Sequence, residues 1–117
     1  MRIRITAGNH VVHAELYENE ASEKWYESLP VTYLMMNLYD REMCYRMGNG
    51  SLPVKKAVRK NYRTGDISYR PPAGSLVILY GQNGEIFKQE PIGHIEDDIS
   101  FFQGMNDTEM TFEKEDD

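Results

Sequence analysis

The sequence predicts a mainly β, single-domain barrel spanning residues 1–117, and three observations carry that reading. The first is the stretch Gly65 to Gly81, GDISYRPPAGSLVILYG, in which Ile67 and Tyr69 alternate with Ser68 and Arg70. Pro71-Pro72-Ala73-Gly74 then reverses the chain, and Leu76 to Tyr80 is apolar without a break, as in a strand covered on both faces or set in a closed barrel. The second is period-two alternation at both ends: Met1, Ile3 and Ile5 against Arg2, Arg4 and Thr6, and Met110 and Phe112 against Glu109, Thr111 and Glu113. The third is that only two short stretches carry helical signals. Closing such a sheet on itself removes its exposed edges, so a barrel with a helix at each end is the economical arrangement.

Taken in order, the first strand turns at Gly8-Asn9 into a second, where Val12, Ala14 and Leu16 alternate with His13 and Glu15. Asn19 is placed to cap a helix, and Ala21, Trp25 and Leu29 form one apolar stripe that ends at Pro30. Trp25 is expected to plug one mouth of the sheet. Val31 to Met36 reads as a third strand. Arg41 to Met47 reads as a fourth, with Arg41, Met43, Tyr45 and Met47 on one face if it carries no bulge. A long connection follows from Leu52 to Thr64, with a strand near Ala57 to Tyr62. After the central hairpin, Gln82-Asn83-Gly84 predicts a tight turn and Glu85 to Lys88 a short returning strand. Ile92 to Ile95 is the next apolar piece. Asp97 or Asp98 is expected to cap a second helix through Phe102, stopped by Gly104 and Asn106. Glu109 to Lys114 predicts the last strand, with Glu115, Asp116 and Asp117 fraying.

Charge and composition bound the function. The net charge is −6, yet Lys55, Lys56, Arg59, Lys60 and Arg63 cluster within residues 55–63. Residues 90–117 hold ten acids against the single Lys114. The basic loop reads as a solvated segment facing an acidic tail, and overall acidity argues against nucleic acid. One cysteine, Cys44, excludes an internal disulfide and suits a reducing compartment. No apolar run approaches the ~18 residues of a membrane helix. The expectation is a soluble, cytoplasmic chain that makes no contact with membranes.

The order of these pieces resembles a cyclophilin. HAELYENEASEKWYESL is similar to the cyclophilin opening, and IGHIEDDISFFQGMNDTEMTFEK to its close. The middle resembles the small bacterial and archaeal cyclophilin-like proteins, through Leu29-Pro30, Asp40-Arg41-Glu42, the GDI-Y-PP-G pattern of Gly65 to Gly74, and IG-x-I at Ile92 to Ile95. The resemblance implies an eight-stranded closed barrel capped by two short helices. It does not extend to the F-x-x-[QR]-G-G-D segment or the upstream catalytic arginine of a true cyclophilin. YLMMNLYDREMCYRMGNG stands there instead.

Prolyl isomerisation requires an apolar socket for the proline ring and a donor aimed at the imide nitrogen. Arg41 beside Met43, Tyr45 and Met47 is the stretch that offers both, although Met and Tyr alternating in a strand more often pack a core. Tyr69 and Arg70 are placed to border a groove. These six are the candidate ligand contacts, with Arg41 the catalytic candidate if the chain is an isomerase. Asp40 and Glu42 read as a solvated carboxylate pair. His10 and His13 point to opposite strand faces, so neither a metal site nor a cofactor is expected. The reading that follows is a barrel binding a small ligand or peptide segment in a surface groove, without strong isomerase activity. A divergent prolyl isomerase and a non-catalytic partner-binding or homodimerising module are the alternatives.

Overall fold

The computed structural model describes residues 1–115. The strands, in chain order, are β1 (Arg2–Ala7), β2 (His10–Leu16), β3 (Val31–Leu38), β4 (Glu42–Arg46), β5 (Val58–Lys60), β6 (Asp66–Arg70), β7 (Ser75–Leu79), β8 (Phe87–Ile95) and β9 (Thr108–Glu115). Helix α1 (Glu20–Ser28) lies between β2 and β3, and a 3-10 turn at Ser100–Phe102 precedes β9. The sheet runs β2-β1-β9-β3-β4-β7-β6-β8 and closes through β2–β8, so eight antiparallel strands form a barrel. β5 is an additional strand, paired outside the barrel to the first part of β8. No helix among the described residues is long and apolar enough to cross a membrane.

Closure depends on the two chain ends. β1 pairs with β9 from Arg2↔Glu115 to Ala7↔Met110. Their inward residues Ile3, Ile5, Met110 and Phe112 are all fully buried. Glu115 is therefore held in the sheet rather than frayed, while Asp116 and Asp117 lie outside the described residues. The other seam, β2–β8, brings Gly93 opposite Leu16. A Cβ on Gly93 would sit 2.6 Å from the Glu15 carbonyl oxygen, so this approach requires a glycine.

Helix α1 forms as its pattern predicts. The Asn19 side chain accepts from the Ser22 amide at 2.8 Å, and Ala21 and Trp25 are fully buried. Trp25 meets Phe112 edge-on, with ring centroids 5.3 Å apart, and donates to the Tyr33 hydroxyl at 3.2 Å.

Three expected elements differ. The second helix is only a 3-10 turn, because Gly104, at φ +76°, ends it almost as soon as it begins. Asp98 still accepts the Ser100 amide at 2.9 Å, and Phe102 and Ile99 still point into the core. Gln82-Asn83-Gly84 is no hairpin turn, since β7 pairs with β4 and β6 and never with β8. Residues 80–86 instead cross the barrel surface as an irregular segment. Finally, the two apolar pieces after it are one strand. Pro91 falls inside β8 beside the register shift between Ile67 and Ser68, the kind of irregularity that tolerates a residue with no amide hydrogen.

The barrel is covered on both sides along part of its wall. Leu76 and Ile78 of β7 join the interior, whereas Val77 and Leu79 join a second apolar cluster with Cys44 and Tyr62 on the outside. The segment carrying β5 lies over that outer face. It is held by the buried Glu90 carboxylate, which accepts the Lys56 amide at 2.8 Å and 2.9 Å, and by the buried Gln89 amide, which donates to the Lys60 carbonyl at 2.9 Å. Gln89 also accepts from the Ser68 hydroxyl at 2.8 Å.

Candidate functional site

The outer face of β4 and β6 carries charge where a barrel wall ordinarily carries apolar or solvated residues. Leu38 of β3 pairs with Glu42 of β4, leaving a three-residue turn in which Tyr39 and Asp40 are left-handed, at φ 61° and 50°. Arg41 belongs to that turn and not to β4, so it escapes the alternation of the strand and joins Glu42 outside. Its carbonyl anchors the far end of β7 by accepting the Tyr80 amide at 2.8 Å and the Gly81 amide at 3.0 Å.

Glu42 is fully buried, which overturns its reading as half of a solvated pair; Asp40 alone is exposed. One oxygen of Glu42, Oε1, accepts from Arg41 Nε at 2.8 Å, lies 2.6 Å from Arg41 Nη2, and accepts from Arg70 Nη1 at 3.0 Å. The other, Oε2, is buried without a hydrogen-bond partner among the described residues. Two arginines, one from the turn before β4 and one from β6, thus compensate one carboxylate, as a buried charge demands.

Arg41 and Arg70 also share an aromatic partner. Their guanidinium carbons lie 5.1 Å and 4.9 Å from the centroid of the half-buried Phe87 ring, and Arg41 lies 5.0 Å from that of the exposed Tyr39. Arg41 Nη1 additionally donates to Glu85, whose side chain is 57% exposed. These residues and Asn83 line an open hollow of about 560 Å³. Arg70 Nε and Nη2 have no acceptor among the described residues.

The structure therefore brings together Arg41 and Arg70 of the six sequence-derived candidates, and separates the rest. Met43 and Tyr69 lie in the barrel interior, fully buried, with the Tyr69 hydroxyl donating to the Gly48 carbonyl at 2.9 Å. Tyr45 is stacked on Tyr33 with centroids 4.0 Å apart, and Met47 packs on the same core. The expected common face of Arg41, Met43, Tyr45 and Met47 does not form, because the turn displaces Arg41 from it. Glu42, Asn83, Glu85 and Phe87 were not foreseen as site residues.

Two other hollows carry less. One of about 720 Å³ lies between Asn37, Tyr39, Asp40 and residues 104–107. Its best donor is spent, since the Asn37 amide group donates to the Phe102 and Met105 carbonyls at 2.9 Å and 2.7 Å. One of about 370 Å³ is bordered by His13 and His94. Both rings are already paired, His94 with Asp66 at 2.8 Å and His13 with Glu115 at 2.9 Å.

Comparison with known proteins bears on the fold. The profile of a family described as cyclophilin-like matches residues 5–113. No curated protein sequence matches the chain. Among solved structures, the chain is similar to a hypothetical protein from Archaeoglobus fulgidus determined in solution, at TM-score 0.65 and 21% identity, covering 97% of this chain and 93% of that one. At that identity the likeness shows the fold alone.

Proposed function

The chain belongs to the cyclophilin-like family, and from that premise we propose that it is a binding barrel, taking a small ligand or peptide segment in its outer groove without strong isomerase activity. The groove is the hollow framed by Tyr39, Arg41, Arg70, Asn83, Glu85 and Phe87. One observation carries the reading: two guanidinium groups converge on a single aromatic ring at the edge of a hollow, and one of them, Arg70, keeps unpaired donors. Charged donors beside exposed ring faces are what orient a polar ligand with an apolar body. The same geometry weighs against isomerase chemistry. Arg41 is more than nine-tenths buried and turns each of its three nitrogens to the carboxylate of Glu42 or Glu85, so the guanidinium is held by acids rather than aimed over an apolar socket.

A thermal-shift screen of small molecules and short peptides tests the proposal on wild type and Arg70→Gln in parallel. Ligands that raise the melting temperature of wild type and not of the variant support it. A chain stabilised by nothing in the screen, and dimeric by light scattering, points to the partner-binding alternative instead.

A further inference from the structure

Resting on this groove reading, we infer that the groove is built for a carboxylate, and that Glu85 is the chain's own occupant of that seat, displaced when a ligand carboxylate enters. Charge gives the first argument. Around Phe87 stand two cations, the buried Arg41 and the half-buried Arg70, and one buried anion, Glu42. One positive charge is left over, and Glu85 supplies its counter-charge from the irregular segment that crosses the barrel surface. A monoanionic carboxylate restores neutrality there, whereas a doubly charged phosphate overshoots it.

Geometry gives the second argument. The Glu85 Oε2 position receives Arg41 Nη1 and, at 3.4 Å, the Asn83 side-chain amide. Donors from two separate segments thus converge on one oxygen site. Glu85 fills that site from outside: its side chain is mostly exposed, and its own amide donates to Asn83 Oδ1 at 3.0 Å, so the backbone is fixed whether or not the carboxylate stays. No hydrogen bond or ion pair joins Glu85 to Arg70 among the described residues. A ligand carboxylate bridging Arg41 and Arg70 would therefore engage the free Arg70 donors, which Glu85 does not, in the forked manner guanidinium groups favour. The rings of Tyr39 and Phe87 would flank the carbon chain behind it.

Isothermal titration of the monocarboxylate butyrate, its amide butyramide and inorganic phosphate into wild type and Glu85→Gln, at low salt, tests the inference. Removing the internal competitor is expected to tighten butyrate binding at least about tenfold, with the gain lost in Glu85→Gln/Arg70→Gln and with no binding of butyramide. A short peptide with a free C-terminal carboxylate, against the same peptide amidated, then distinguishes a chain terminus from a free acid as the carboxylate source. Unchanged butyrate affinity in Glu85→Gln, equal binding of butyramide, or a preference for phosphate overturns the inference. The groove reading fails separately. If neutral ligands stabilise wild type and lose their effect in Arg70→Gln, the groove stands and the carboxylate assignment falls; if no ligand depends on Arg70, both fall.

Discussion

Glu42 shows how much a single residue can conceal. Flanked by Arg41 and Met43 at the start of a strand, it looks like an ordinary surface acid. What buries it is Arg70, which lies 28 positions away along the chain, on a strand separated from β4 by β7. No local pattern reports such a meeting. Removing its charge leaves Arg41 buried beside an uncompensated neighbour. Glu42→Gln is thus expected to destabilise the protein by about 3 kcal/mol in urea melts, within the range for broken buried pairs. A loss below about 1 kcal/mol would mean that Arg41 finds water or Glu85 at no cost. Cys44, two residues on, faces the same outer cluster. Burial pushes its thiol above the ordinary value, with the Glu42 charge adding a smaller push and Ser75 and the nearby arginines opposing. A raised folded-state pKa contributes stability that is complete below the unfolded thiol value and is lost as pH rises through the folded one. Cys44 is accordingly expected to resist alkylation in the native protein at pH 8 and to react promptly once unfolded. Fast native labelling would show the outer cluster to be open.

At the scale of elements, legibility followed the strength of the local signal. The stripe of α1 and the alternation of β1 and β9 are readable because one face of each is dry and the other is wetter, and the hairpin of β6 and β7 is readable from its proline-glycine turn. β7 is the exception that its unbroken apolar run announced, buried on both faces by the barrel on one side and by the β5 segment on the other. β8 reads from sequence as two pieces, Glu85 to Lys88 and Ile92 to Ile95, and nothing local marks the register shift that admits Pro91 between them. The connection before it looked like a hairpin turn because Asn-Gly favours one, yet the tertiary pairing sends β8 elsewhere. The turn after β6 is set more tightly. Gly74 has φ +76°, and a Cβ there would sit 1.9 Å from the Gly48 carbonyl oxygen; Gly84 has a similar φ of +78° with nothing within 4 Å. Gly84→Ala should cost about 1–2 kcal/mol, the price of the backbone conformation alone. Gly74→Ala should cost clearly more, on the order of 3 kcal/mol, by the added backbone clash. Equal melting temperatures for the two variants would contradict that packing.

For the whole molecule, barrel and groove are two consequences of one arrangement. Pairing of the first and last strands closes the wall, the interior fills with Ile, Leu, Met and aromatic side chains, and the outward residues of β4, β6 and β7 are left to be covered from outside. The β5 segment covers most of that face. At its border Tyr39, Arg41, Arg70 and Phe87 keep an opening. The closed barrel was legible from sequence because alternation and resemblance agreed. The groove was only half legible: its two arginines stand in the sequence, but their shared carboxylate and aromatic ring come together only when separated strands meet. On this arrangement the protein should leave the cis–trans rate of a proline-containing peptide at its uncatalysed value in a coupled isomerisation assay. Turnover that disappears in Arg41→Ala would reverse that assignment.

If the barrel binds as proposed, ligands enter at the Arg41–Arg70–Phe87 opening rather than elsewhere on its surface. Chemical-shift mapping locates the contact, by titrating a stabilising compound from the thermal screen into isotopically labelled protein. The shifts are expected to cluster on Tyr39, Arg41, Arg70, Asn83, Glu85 and Phe87 and to leave α1 and the β2–β8 seam unmoved. Shifts centred on His13 and His94, or on the turn at 104–107, would place the binding site elsewhere and overturn the proposal.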